Sequence, residues 1–64
     1  MLIQDVDGQW WNPAHVIKYY VEFDNVVLET ADFITTLYKG ESKKDAQEWL
    51  DDFCVIVNIQ GHKP

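Results

Sequence analysis

SKKDAQEWLDDFCVIVNIQ, residues 42–60, holds an apolar stripe followed by an apolar run, and the rest of the chain is organised around it. Ala46, Trp49, Leu50 and Phe53 fall at i, i+3, i+4 and i+7, which is one face of a helix. Lys43, Lys44, Gln47, Glu48, Asp51 and Asp52 fill the other face. Ser42 is placed to cap, because its hydroxyl can accept from the free amide three residues on, and Asp45 can reach back in a short capping box. Burying Trp49, Leu50 and Phe53 is worth roughly 1.5–3 kcal/mol each. The spacing therefore predicts a helix from Ser42 to Phe53. Cys54 to Gln60 then reads as a strand, with Val55, Val57 and Ile59 on one face. On these bounds two lysines sit in the first turn and two aspartates in the last. The macrodipole favours the reverse by roughly 0.3–1 kcal/mol per exposed charge. Either salt screens these terms, or Glu48, Asp51 and Asp52 form an acidic patch kept for a partner.

With 64 residues the chain has room for one domain, residues 1–64, with 61–64 read as a frayed tail. A domain this short buries only about 60% of its unfolded surface. Apolar residues make up 47% of it, and nine residues are aromatic, enough for one core. The single cysteine, Cys54, excludes an internal disulfide and reads as a buried small hydrophobe in a reducing compartment. No apolar run is long enough to span a bilayer, and no basic region followed by an apolar stretch opens the chain. The expectation is a cytoplasmic protein without a membrane partner. Eleven acidic residues stand against five basic ones, all lysine, for a net charge of −6. Direct binding of nucleic acid needs a positive surface, and arginine is its usual fork, so this composition argues against it.

Outward from the helix, the N-terminal part reads as sheet. Leu2 to Val6 is a short strand, and Asp7-Gly8 a hairpin turn, because both residues tolerate positive φ. Gln9-Trp10-Trp11 returns, with the two tryptophans on opposite faces. Asn12-Pro13 breaks the ladder and opens a helical turn through Ala14 and His15. Val16 to Phe23 is the clearest strand. Its alternation places Ile17, Tyr19, Val21 and Phe23 under the helix, and Val16, Lys18, Tyr20 and Glu22 on the other side. Asp24-Asn25 is a turn. Val26 to Thr30 and Phe33 to Lys39 are β-prone, and Ala31-Asp32 between them is either a tight turn or, as preferred here, a bulge in one long strand. Lys39-Gly40-Glu41 turns into the helix. The expected fold is α+β: a small curved, mostly antiparallel sheet of about five strands, in the order β-β-β-β-α-β, with one helix on one face.

Asn12-Pro13-Ala14-His15-Val16 leading into a strand, a later strand ending in Lys39-Gly40 and a capped helix resemble the FlbD-like flagellar proteins over residues 2 to 50. The likeness lies in turn chemistry. It implies a sheet closed by a capped helix and carries no site residues.

No candidate for catalysis or metal binding survives. An EF-hand built on Asp5-Val6-Asp7-Gly8 would need an oxygen ligand at Ile3 and a bidentate Glu at Ala14. His15, His62 and Cys54 have no metal spacing. Cys54 lacks a neighbouring cation to make it a nucleophile. No carboxylate is flanked by the apolar pocket that tunes a general acid. The chain is therefore expected to be neither an enzyme nor a cofactor protein.

What remains is protein binding. Two surfaces are candidates. The acids Glu48, Asp51 and Asp52 could imitate a phosphate backbone and occupy the basic groove of a nucleic-acid-handling host complex. That would be the role of a phage or mobile-element inhibitor of the anti-CRISPR kind. Small length, acidic charge and absent catalytic groups suit such a host-modulating protein. Alternatively the sheet face away from the helix, carrying one of Trp10 and Trp11 together with Val16, Tyr20 and Tyr38, could anchor a partner or a second copy. The chain would then be a homo-oligomeric structural or accessory protein. A homodimer is compatible with both uses. If the sheet curls on itself instead, those aromatics form a second small core.

Overall fold

Turn chemistry sets the order of the elements. The computed structural model describes residues 2–61. Strand β1 (Ile3–Gln4) pairs antiparallel with β2 (Trp10–Trp11), Ile3 opposite Trp11 and Gln4 opposite Trp10. Both strands are shorter than expected, and residues 5–9 form the connection in place of a two-residue Asp7-Gly8 turn, with only Gly8 of that pair at positive φ. Gly8 sits at φ 88°, where a side chain would be strained, and its amide donates to the Asp5 carbonyl at 3.1 Å. Asn12 Oδ1 then accepts from the Ala14 amide at 2.9 Å, opening a single 3-10 turn (Pro13–His15) with proline first.

A three-stranded antiparallel sheet follows in sequence order: β3 (Val16–Glu22), β4 (Asn25–Thr30) and β5 (Ile34–Lys39). Its details correct the simple alternation in three places. The β3–β4 register slips between Val16 and Lys18, so a bulge at Ile17 turns that side chain out, 62% exposed, and lets Val16 join Tyr19 and Val21 against the core. The β3–β4 turn is Phe23-Asp24, one residue earlier than the sequence suggests, closed by Glu22 opposite Asn25. Phe23 therefore leaves the core face altogether. It stands at φ 57°, a left-handed conformation that costs a bulky residue about 1–2 kcal/mol, and its side chain is 82% exposed. Finally, residues 26–39 are two strands, not one bulged strand. Thr30 makes the difference: its amide donates to the Phe33 carbonyl at 2.8 Å, and its hydroxyl accepts from the Phe33 amide at 3.0 Å.

The helix departs furthest from expectation. α1 runs from Lys43 to Gly61, so Cys54 to Gln60 is helix and not the expected C-terminal strand. The order is β-β-β-β-β-α, in two antiparallel sheets of two and three strands with one helix packed on them, an α+β fold. No Gly or Pro interrupts the chain from Ser42 to Gln60, and extending an existing helix is far easier than starting a strand. The β-branched residues lower helix propensity only by tenths of a kcal/mol each. The stripe simply continues, through Phe53 and Cys54 to the half-buried Val57. Gly61 belongs to the helix, and the rest of the expected frayed tail, 62–64, lies outside the described residues. Asp51 and Asp52 consequently sit mid-helix, where the macrodipole conflict inferred for them vanishes.

Ser42 caps as expected, its Oγ accepting from the Asp45 amide at 3.1 Å. Asp45 reaches back one residue further than a capping box does, accepting from the Glu41 amide at 3.0 Å and from the Tyr38 hydroxyl at 2.8 Å. Gly40 is required by close approach: a Cβ there would lie 2.9 Å from the Asp24 carbonyl oxygen. Ile3, Val26, Leu28, Leu37, Ala46 and Leu50 form the buried core. Over it runs an aromatic stack. Tyr38 and Trp49 lie parallel at 4.9 Å, Trp49 and Phe53 at 5.1 Å, and Tyr19 meets Phe53 edge-on at 5.1 Å. Val16 and Tyr38, expected on the open face, therefore serve the core side instead.

Candidate protein-binding site

The first hairpin is held to the main sheet by one carboxylate. Asp5 is only 6% exposed, and it accepts four hydrogen bonds: Asp7 and Gln9 amides on Oδ1 at 2.9 Å, Trp11 Nε1 on Oδ2 at 2.8 Å, and Thr35 Oγ1 on Oδ2 at 3.0 Å. Burial pushes its pKa up. The bonds from Trp11, Gln9, Thr35 and Asp7 outweigh that and hold it below its ordinary value. The hairpin also touches β5 through the backbone, the Val6 amide donating to the Thr36 carbonyl at 3.0 Å.

This clamp fixes the Trp11 ring, which meets Phe33 edge-on at 5.9 Å. Trp10, the residue before it on the strand, is left 61% exposed. Between the hairpin, the 3-10 turn and the β4–β5 turn lies an apolar groove of about 620 Å³. Leu2, Trp10, Trp11 and Phe33 supply its apolar wall, and Asn12, His15 and Asp32 its polar edge. Leu2 and Phe33 are exposed as well. Three chain segments thus converge on one concave, aromatic surface.

The residues singled out from sequence do not form one site. Trp10 and Trp11 both line the groove. Tyr20 lies elsewhere, half-buried on the sheet face away from the helix, with Lys18 Nζ 4.9 Å above its ring. Lys18 also pairs with Glu29 at 3.8 Å, which sets a charged pair beside that ring. Glu48, Asp51 and Asp52 are all exposed on the outer side of α1, where Asp51 Oδ1 accepts from Gln47 Nε2 at 3.0 Å. The exposed Lys43 and Lys44 share that helix and dilute the negative field. Sequence reasoning missed Leu2, His15, Asp32 and Phe33 as groove residues. Leu2 and Phe33 read from sequence as strand residues and His15 and Asp32 as turn residues, so no single pattern collects them.

Other chemistry is weakly supported. Burial and the nearby Asp51 push the Cys54 thiol up, away from a nucleophilic thiolate. Tyr19 is raised by burial and by Cys54. Among the described residues no three His, Cys, Asp or Glu side chains are grouped to hold a metal, and no helix is long and apolar enough to cross a membrane. No family model, characterised protein or solved structure matches the chain.

Proposed function

We propose that the chain is a non-enzymatic protein-binding module whose docking surface is the groove of Leu2, Trp10, Trp11 and Phe33. One observation carries this reading: Trp10 is exposed yet anchored, because its neighbour Trp11 is locked by Asp5. A tryptophan presented on a braced strand loses little entropy on binding, which is the usual setting of an interface hot spot. The groove edge carries Asp32 and no lysine, so a partner with cations around its apolar contact is favoured over an acidic one.

The second reading is electrostatic. Exposure of Glu48, Asp51 and Asp52 within about one helical turn favours it. These acids would block a basic, nucleic-acid-handling surface of a host complex, in the manner of an anti-CRISPR-like inhibitor. Two variants separate the readings: Trp10→Ala, and the charge reversal E48K/D51K/D52K. Each is used as tagged bait against lysate and against untagged copies of the chain. Use of the groove leads to a partner that survives high salt, is lost with Trp10→Ala and is retained by the charge reversal. A partner stripped by salt and lost only on charge reversal moves the site to α1 and defeats the groove.

A further inference from the structure

Three aromatic rings and one carboxylate border the groove. Trp10, Trp11 and Phe33 line it together with Asp32. Trp11 and Phe33 meet at 60°, so neither ring covers both faces of the other, and Trp10 and Phe33 are each 61% exposed. Asp32 is exposed as well. Among the described residues its carboxylate takes part in no hydrogen bond or ion pair; only its backbone amide is used, donating to Thr30 Oγ1 at 3.3 Å. Elsewhere the fold sets a cation between a ring and a carboxylate from its own residues: Lys18 Nζ stands 4.9 Å above the Tyr20 ring and 3.8 Å from Glu29. At the groove the rings and the carboxylate are in place, but no described lysine lines it.

We propose that the groove takes an arginine side chain of a partner protein, its guanidinium stacked on a tryptophan ring and paired with Asp32. This rests on the groove being the docking surface and names what enters it. Aromatic faces attract cations, and tryptophan does so best. Guanidinium suits both halves of the site. It is planar and stacks on rings, it is more weakly hydrated than an ammonium, and its fork matches a carboxylate. Its methylene stem has apolar surface to lie along in Leu2. An uncharged apolar side chain would use the rings but cover Asp32 without pairing it, which costs free energy. The chain itself has no arginine, so the occupant comes from a different protein, and the net charge of −6 favours encounter with a basic one. Salt screens the pair with Asp32 and leaves the stacked contact, so the complex outlasts a high-salt wash.

NMR titration of the labelled full chain tests this with three probes: N-acetyl-arginine amide, N-acetyl-citrulline amide and N-acetyl-phenylalanine amide. Citrulline keeps the shape of arginine and lacks its charge. The arginine probe is expected to shift the Trp10 and Trp11 indole N–H signals and the Asp32 and Phe33 amides, and citrulline to bind about tenfold more weakly. Trp10→Ala weakens arginine binding about tenfold. Asp32→Asn weakens arginine about fivefold and leaves citrulline unchanged, because only the charged pair is lost. Both substituted side chains are exposed, and unchanged amide signals from the buried Val26 and Leu28 confirm that each variant is folded. Citrulline binding as tightly as arginine, or either variant binding arginine as tightly as the wild type, overturns the inference. So does an arginine probe that shifts nothing, and the phenylalanine probe then separates two failures. Shifts at Trp10 and Phe33 with phenylalanine keep the groove as a docking surface for an uncharged side chain; no shifts with any probe discard the groove as well.

Discussion

Asp5→Ala should remove a large share of the chain's stability. Four donors would lose a charged acceptor in a buried setting, and bonds to charged groups contribute about 1.5–3 kcal/mol each. Even with water repairing part of the loss, a cost of about 3–5 kcal/mol is expected. The whole domain, at about 0.05–0.15 kcal/mol per residue, holds only about 3–10 kcal/mol. Urea melts followed by far-UV circular dichroism would show it. Asp5→Asn keeps the shape and loses the charge, so it should fall between. The same group sets an acid limit. Its folded pKa lies below the unfolded value, so its stabilisation is complete above about pH 4 and drains away as pH falls through the depressed folded pKa. Asp45, lowered by the Glu41 amide and the Tyr38 hydroxyl, acts in the same direction and the same window. An alanine variant melting within a few degrees of wild type would mean that the carboxylate is incidental.

Trp49→Ala ranks next. Trp49 is the middle ring of the stack, with Tyr38 on one face and Phe53 on the other, and it carries the helix onto the sheet. Truncating it removes both contacts and leaves a void that the flanking rings cannot close without rotating. Losses of about 3–5 kcal/mol are typical of such changes. Trp49→Phe keeps a ring in the stack and should recover more than half of that loss. Equilibrium urea unfolding gives both values, and a cost below about 1 kcal/mol for the alanine variant would show that the helix is held mainly by Leu50 and Ala46.

These two residues were not equally legible in the sequence. Trp49 falls on a stripe of period 3.6, and the stripe was enough to place it. The hairpin at Asp7-Gly8, the Asn12-Pro13 turn and the Ser42 cap were legible for a similar reason, since each uses a residue suited to one local geometry. Asp5 was read only as the acidic flank of a turn. Its role depends on Thr35, thirty residues away, and no local rule carries that information. The bulge at Ile17 has the same character: one extra residue exchanges Ile17 for Val16 on the core side while Tyr19 and Val21 stay there, and nothing in the composition of β3 announces it. The missing C-terminal strand is different. The continuing stripe from Phe53 to Val57 was present, but β-branched side chains were given more weight than the absence of any breaker. Of the site, the tryptophans were found and the groove was not, because concavity arises from three turns meeting.

The run from Cys54 to Gln60 carries a consequence for the life of the chain before it is folded. It is seven residues long, rich in valine and isoleucine, uncharged, and free of proline and glycine. That is the composition of a segment that stacks into fibrils when it is extended and exposed. In the native molecule its backbone amides, and its carbonyls as far as Val57, are committed within α1 and are not offered to a neighbour. Asp51 and Asp52 stand immediately before it as charged gatekeepers. Helical confinement thus acts as quarantine for this segment, and it lasts only as long as α1 stays folded.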